Sequence, residues 1–143
     1  MIPISPLWSR GSQAPYAAPE VTPIRVLVVE DDLMVGAVAA EALEEAGFLV
    51  LIAASAEEAE IILSQEKIDV LFTDINLGGR DGCDLAHRAL KAQPDLQVVL
   101  ASGRSRRCHS ARIPVGAAFL AKPYRLSHLI DELHRAVQGQ SIS

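Results

Sequence analysis

Three consecutive acidic residues, Glu30, Asp31 and Asp32, follow the largely aliphatic run 24–29 (IRVLVV). At a separation of about 4 Å and an effective dielectric constant of about 20, each pair of like charges costs roughly 4 kcal/mol. Something must offset this repulsion: a bound cation, neighbouring basic groups or exposure to water. Because carboxylate oxygens are ligands that Mg²⁺ prefers in proteins, the cluster is a candidate metal site.

Three further polar residues stand at the ends of hydrophobic runs. They are Asp74, Ser102 and Lys122. A hydroxyl and an ammonium are groups that bind the oxygens of a phosphoryl group. The acidic cluster and these three residues could therefore hold a metal ion and a phosphoryl group together, provided that the fold brings them to one place.

Each of these residues also has a plainer interpretation. Asp32 could cap the helix that follows it or face water, Lys122 precedes a proline and could be solvated, and Ser102-Gly103 could form a turn. We assign Asp32 alone to the plainer role. The joint occurrence of the others at four strand ends favours a shared site.

Hydrophobic patterning predicts strands that alternate with amphipathic helices. The predicted strands are 24–29, 48–54, 68–74, 96–102 and 117–122, and the predicted helices are 33–47, 55–67, 82–94 and 126–137. Such alternation predicts an α/β fold with right-handed crossovers. We expect a flavodoxin-like, doubly wound, five-stranded parallel sheet of order 2-1-3-4-5, with helices on both faces.

This strand order predicts where the polar residues meet. The first and third strands become neighbours about 4.8 Å apart, so Asp31 and Asp74 should converge in one crevice with Glu30 beside them. Lys122 and Ser102 should reach the same crevice from its far side. A magnesium ion that keeps some of its waters and binds phosphate oxygens fits this set of ligands.

Composition excludes several classes of protein. The chain has 143 residues and a net charge of −5, which argues against nucleic acid as the main partner. No apolar stretch reaches the length of a membrane span, and no signal peptide is recognisable. Cys83 and Cys108 have neither metal-ligand spacing nor a disulfide framework. We therefore expect a cytoplasmic protein that is a monomer or a weak dimer.

The chain divides into three parts by composition. Residues 1–23 are predicted to be a flexible, proline-rich tail, residues 24–138 the domain, and residues 139–143 a C-terminal tail. Within the domain, the segment 104–116 has few apolar residues, so any helix there should be short or irregular. Its arginines are expected to form a solvated face or a protein contact.

The motifs VVEDD, FTDINLGGRDG, LASG and FLAKPY resemble those of the receiver domain of bacterial two-component response regulators. The resemblance covers residues 24–138. It implies that Asp74 is the phosphoacceptor in a Mg²⁺-dependent transfer from a phosphohistidine. The donor would be a sensor histidine kinase or a histidine phosphotransferase, and the chain would catalyse only its own phosphorylation and dephosphorylation.

The resemblance also implies a role for individual side chains. Glu30, Asp31 and Asp74 would hold Mg²⁺ together with the backbone carbonyl of Asn76. Ser102 and Lys122 would contact the phosphoryl oxygens, and Phe119 would be the switching aromatic residue. Phosphorylation should change the surface formed by segment 104–116, strand 117–122 and helix 126–137. Because little sequence follows residue 137, we expect no output domain.

Two alternatives and one refinement remain. The chain could be a Mg²⁺-dependent hydrolase like the haloacid dehalogenase-type phosphatases, but these need an acid two residues after the nucleophile, where Asn76 stands. It could also be an interaction domain that keeps the fold without being phosphorylated. In the phosphorylated form, Asn76 and Arg104 are expected to overhang the crevice and to set the lifetime of the acyl phosphate.

Overall fold

A computed structural model describes residues 22–142, with side chains through residue 138. The strands are β1 (Arg25–Val29), β2 (Leu49–Ala53), β3 (Val70–Asp74), β4 (Asn76–Leu77), β5 (Arg80–Asp81), β6 (Gln97–Ser102) and β7 (Ala118–Ala121). The helices are α1 (Leu33–Glu45), α2 (Ala56–Gln65), α3 (Gly82–Ala92) and α4 (Leu126–Ile142), with a 3-10 turn at Arg106–His109.

Five of the strands form a parallel sheet of order β2-β1-β3-β6-β7. With the two-residue strands β4 and β5 set aside, this is the predicted order 2-1-3-4-5, so the predicted fold class is confirmed. The register pairs Asp74 with Ala101 and Ser102 with Ala121. The carboxyl ends of β3, β6 and β7 therefore lie side by side at one edge of the sheet.

The two faces of the sheet bury separate hydrophobic clusters. Side chains alternate along each strand, so Val26 and Val28 point to one face and Leu27 and Val29 to the other. The first face packs against α1 and α4, whereas the second packs against α2 and α3. Covering on both faces explains why the strands read as continuous hydrophobic runs, and it leaves the carboxyl edge as the place for polar groups.

The predicted element boundaries agree with the structure to within a residue or two, except at the last helix. α4 continues to Ile142, so the helix takes in most of the segment 139–143 that was expected to be a tail. No proline follows residue 137, and a single glycine costs about 1 kcal/mol, which is too little to end a helix. The predicted N-terminal tail lies, apart from its last two residues, outside the described residues.

Any helix in segment 104–116 was expected to be short or irregular; the structure has no α-helix there, and the regular structure of the segment is the 3-10 turn at Arg106–His109. Four helices therefore accompany the five-stranded sheet in residues 22–142. Within the same residues, no helix has the length and the apolar character that crossing a lipid bilayer requires.

Candidate functional site at the carboxyl edge of the sheet

Three carboxylates meet where β1 and β3 end. Glu30, Asp31 and Asp74 each offer an oxygen, and these atoms all lie within 4.8 Å of one another. Glu30 is 7% exposed and Asp74 is 9% exposed, so water alone does not offset the repulsion between them. Asp32 is not part of this cluster, because its Oδ1 accepts hydrogen bonds from the N–H groups of Met34 and Val35 and caps α1.

Lys122 is the basic group that lies among these carboxylates. Its Nζ donates to Asp74 Oδ2 at 2.7 Å and to Glu30 Oε1 at 3.3 Å. Burial disfavours the charged ammonium, but the hydrogen bond and charge of Asp74, with the charge of Glu30, outweigh it and raise the pKa of Lys122. Lys122 therefore stays charged at neutral pH and ties the end of β7 to the ends of β1 and β3.

Lys122 does not balance the cluster completely. Three carboxylates and one ammonium leave a formal charge of −2. Burial raises the pKa of Glu30, although the Asp32 N–H and Lys122 oppose this effect. The raised pKa shows that the folded protein holds this carboxylate at an energetic disadvantage. A bound divalent cation would offset this disadvantage. The set of donor atoms therefore fits Mg²⁺, which prefers hard oxygen ligands.

A small hairpin covers the end of β3. β4 and β5 pair with Asn76 opposite Asp81, and the turn between them places Gly78 and Gly79 at positive φ. Gly82 then passes so close to β3 that a Cβ atom there would lie 2.1 Å from the carbonyl oxygen of Asp74. This position therefore requires glycine, and the close approach fixes the backbone on which the Asp74 carboxylate is mounted.

Asn76 lies beside Asp74 in this hairpin. Its N–H donates to Asp74 Oδ1 at 3.2 Å, and its own Oδ1 accepts from the N–H of Gly78 at 3.3 Å. The Asp74 carboxylate is thus held on one oxygen by the hairpin and on the other by Lys122. Its orientation is fixed before any ligand binds, and the side chain of Asn76 is exposed at the entrance.

Ser102 lies at the end of β6 and is 5% exposed. Its Oγ accepts a hydrogen bond from the N–H of Arg104 at 3.0 Å and lies 3.0 Å from Nε2 of His109. His109 is 6% exposed and sits at the end of the 3-10 turn. The sequence analysis did not single out His109, which turns out to be the side chain in direct contact with the predicted phosphoryl-binding hydroxyl.

Arg112 was expected, with the other arginines of segment 104–116, to form a solvated face or a protein contact; it is exposed, but its particular partners were not predicted. One guanidinium nitrogen donates to His109 Nδ1 at 2.8 Å, and the other forms an ion pair with Asp81. Asp81 is itself the N-cap of α3, because its Oδ1 accepts from the N–H of Cys83 at 2.7 Å. A continuous chain of contacts therefore runs from Ser102 to the first turn of α3.

A cavity of about 530 Å³ opens over this edge. Asp74, Asn76, Ser102, Arg104 and Lys122, all of them predicted site residues, line it. Phe119 lies behind this lining, partly buried against the core, with its ring centre 6.3 Å from that of His109. The cavity is bordered by the carboxylates of Asp74 and Asp81, by the hydroxyl of Ser102 and by several cationic side chains. The hydroxyl and the cations are groups that suit a phosphoryl group.

Comparison with known proteins identifies the class. Residues 26–134 match the model of the response regulator receiver domain, and the chain therefore belongs to that family. Receiver domains are signalling domains of two-component systems and typically bind Mg²⁺ at an acidic pocket. In this chain, Glu30, Asp31 and Asp74 form an acidic cluster.

Relatives of the chain include both short and long proteins. It is 32% identical to the response regulator receiver protein CpdR of Brucella abortus, over 78% of this chain and 94% of the relative. It is 34% identical to the transcriptional regulatory protein DctD of Rhizobium meliloti, over 82% of this chain but 26% of that protein. The CheY-like receiver domain protein of Methanospirillum hungatei superposes with a TM-score of 0.79 at 26% identity, over 84% of this chain and 98% of that one.

Proposed function

We propose that Asp74 accepts a phosphoryl group, in the cytoplasm, from the phosphohistidine of a sensor histidine kinase or a histidine phosphotransferase. The observation that carries this proposal is the meeting of Asp74 with Glu30, Asp31 and Lys122, beside a cavity that Asp74, Lys122 and Ser102 line. Family membership supports the general role in two-component signalling.

The proposed reaction is an in-line displacement at phosphorus. A carboxylate oxygen of Asp74 forms the new P–O bond as the P–N bond to the donor histidine breaks, and the electron pair of that bond returns to the imidazole. Such a transfer depends mostly on positioning and on neutralisation of charge. The hairpin amide and Lys122 already hold the nucleophile. Lys122 and the Ser102 hydroxyl can then bind phosphoryl oxygens.

The same proposal assigns the metal ligands. Glu30, Asp31 and Asp74 would hold Mg²⁺, with the backbone carbonyl of Asn76 as a further ligand. When bound, Mg²⁺ supplies positive charge that offsets the carboxylates and the phosphoryl oxygens. The residual formal charge of −2 in the cluster is what makes a divalent cation the expected occupant.

Phosphorylation should be read out on the surface formed by segment 104–116, β7 and α4. Ser102 is bonded to His109 of this segment, and His109 lies against Phe119 of β7. A movement of Ser102 toward a phosphoryl group on Asp74 would therefore affect the positions of both His109 and Phe119. The change in this surface would alter the binding of a downstream protein.

Hydrolysis of an external phosphate ester is the less suitable alternative. The haloacid dehalogenase-type chemistry needs an acid two residues after the nucleophile, and Asn76 occupies that position. The Asn76 side chain accepts a hydrogen bond from the Gly78 N–H, and an amide cannot act as a general acid or base as a carboxyl group does.

The proposal can be tested by phosphotransfer from the sensor histidine kinases encoded in the same genome. Each kinase is phosphorylated with labelled ATP, mixed with this protein and Mg²⁺, and sampled over seconds. At least one kinase should pass its label to the wild-type chain and none to Asp74→Asn, the matched control. If label passes equally to both proteins, Asp74 is not the acceptor. If no kinase passes label to the wild type, either directly or through an added histidine phosphotransferase, the result favours the interaction domain that is not phosphorylated.

A further inference from the structure

The hydrogen bonds around His109 determine which of its nitrogens carries the proton. Arg112 donates to Nδ1, and a guanidinium has five N–H donors and no acceptor. Nδ1 must therefore accept with a lone pair, which leaves the proton of the neutral imidazole on Nε2. The Nε2–H then points at the Ser102 oxygen 3.0 Å away and donates to it.

This tautomer fixes the role of the Ser102 hydroxyl. The oxygen has two lone pairs, and it accepts from the Arg104 N–H and from His109 Nε2–H. Both lone pairs are used, so the hydroxyl hydrogen has to donate to a group elsewhere. Ser102 lines the same cavity as Asp74, where an oxygen of a bound phosphoryl group would be the acceptor.

We propose that His109 and Arg112 are positioning residues that hold the Ser102 hydroxyl as a pre-oriented hydrogen-bond donor for a phosphoryl group on Asp74. The proposal rests on the proposed function for the identity of the acceptor. The new proposal goes beyond that function because it assigns a role to His109 and Arg112 of segment 104–116. Without Arg112, His109 could take the other tautomer, and Ser102 would then donate to Nε2 and turn its hydrogen away from the cavity.

Arg112 is in turn held from two sides. Its guanidinium pairs with Asp81, the N-cap of α3, and its carbonyl oxygen lies 2.9 Å from Nε2 of His87 on the same helix. Segment 104–116 has no α-helix of its own to define its path. These contacts with α3 give Arg112 a fixed position from which to orient His109.

A purely structural role for His109 is the competing explanation. The ring is buried and packs near Phe119, so any change there could act through packing alone. The two explanations differ in what Arg112 and the conservative variant His109→Gln should do. Glutamine has an N–H donor for Ser102 and a carbonyl acceptor for Arg112, whereas His109→Phe keeps a ring and offers neither.

The tautomer can be measured directly in the unphosphorylated protein. Long-range ¹H–¹⁵N correlation spectra of the imidazole groups should show His109 with its proton on Nε2 and a bare Nδ1. Arg112→Lys, which keeps a donor, should preserve this pattern, and Arg112→Met should populate the Nδ1–H form. A wild-type His109 that is protonated on Nδ1, or an Arg112→Met spectrum identical to that of the wild type, would overturn the proposal.

The effect of Ser102 and His109 on the rate of phosphorylation is tested with acetyl phosphate and Mg²⁺. Loss of one hydrogen bond to a charged group should slow phosphorylation about tenfold in Ser102→Ala and similarly in His109→Phe. His109→Gln should recover a rate within about threefold of wild type. If His109 acts through Ser102, adding His109→Phe to Ser102→Ala should cause no further loss, since the two changes remove one interaction.

Additive losses in the double variant, or no recovery in His109→Gln, would overturn the positioning role and leave packing as the explanation. The outcomes also separate this inference from the proposed function. If the wild-type protein takes up no phosphoryl group, the proposed function fails and with it the role of Ser102 as a donor to phosphate. The tautomer measurement does not depend on phosphorylation and would stand or fall separately.

Discussion

Lys122 Nζ lies 2.7 Å from Asp74 Oδ2, so the ammonium that follows β7 donates a hydrogen bond to the carboxylate at the end of β3. The same nitrogen lies 3.3 Å from Oε1 of Glu30, which directly follows β1. The Lys122 ammonium therefore connects the ends of three strands and partly offsets the repulsion among the carboxylates. The remaining negative charge is what we expect a divalent cation to neutralise.

Mg²⁺ should stabilise the fold through this cluster. At concentrations of about 10 to 100 times its Kd, a ligand that binds only the folded state adds about 1.4 to 2.7 kcal/mol to the free energy of unfolding. Thermal melts with EDTA or with Mg²⁺ should show this shift for the wild type and lose most of it in Asp31→Asn.

The neighbouring variant Asp32→Asn is the matched control for this prediction. It removes the same charge from the next residue, and asparagine can still accept hydrogen bonds from the first turn of α1 as Asp32 does. It should keep the full response to Mg²⁺. Equal responses of Asp31→Asn and the wild type would place the metal elsewhere.

Stability of the metal-free protein should fall as pH rises through the titration of Glu30. Burial raises the pKa of this group above its ordinary value of 4.5, so the folded state binds the proton more tightly than the unfolded state does. Between these two pKa values, deprotonation therefore favours unfolding. Glu30→Gln should melt at a higher temperature than the wild type in EDTA at pH 7, and the difference should shrink at pH 4. A variant less stable than the wild type at pH 7 would contradict this.

Gly82→Ala should destabilise the protein by about 3 kcal/mol, because the new methyl group would overlap the Asp74 carbonyl and force the hairpin away from β3. Gly103→Ala is the control, since a Cβ at that position meets no atom within 4 Å. Chemical denaturation of the two variants measures the difference. Similar unfolding free energies would show that the close approach at Gly82 is not a constraint.

The lifetime of the acyl phosphate should depend on two residues at the entrance of the cavity. Asn76 and Arg104 both line it, and a long cationic side chain can shield the phosphoryl group from water. Arg104→Ala should speed decay of the phosphorylated protein and Asn76→Arg should slow it, each by a few-fold. Both residues are exposed, so folding stability should change little.

Arg107→Ala is the control for the lifetime measurement, because Arg107 is an exposed residue of the same segment outside the cavity lining. Decay is followed after removal of the phosphate donor. If Arg104→Ala decays at the rate of both the wild type and Arg107→Ala, Arg104 does not shield the phosphoryl group.

The strand ends were predictable from the sequence because their geometry follows from the strand order. Once the first and third strands are neighbours, Glu30, Asp31 and Asp74 have to meet, and the structure brings them within 4.8 Å. Lys122 follows from the same argument, whereas the capping role of Asp32 follows from its position directly before a predicted helix. These residues sit on or directly after regular elements, where periodicity determines position.

His109 and Arg112 could not be located in the same way. They lie in segment 104–116, which has no hydrophobic periodicity to indicate which residue turns inward. A histidine and an arginine at positions i and i+3, shortly after the predicted phosphate-binding serine, were the available signal. The β4–β5 hairpin was also missed, because strands of two residues are too short to show alternation.

Intact-mass measurement tests the central claim most directly. The full chain is incubated with acetyl phosphate and Mg²⁺, and its mass is recorded alongside that of Asp74→Asn treated in the same way. The account predicts that the wild type gains the mass of one phosphoryl group, that EDTA prevents the gain, and that Asp74→Asn gains nothing. A phosphoryl group that appears equally on Asp74→Asn, or a wild type that stays unmodified with Mg²⁺ present, would contradict it.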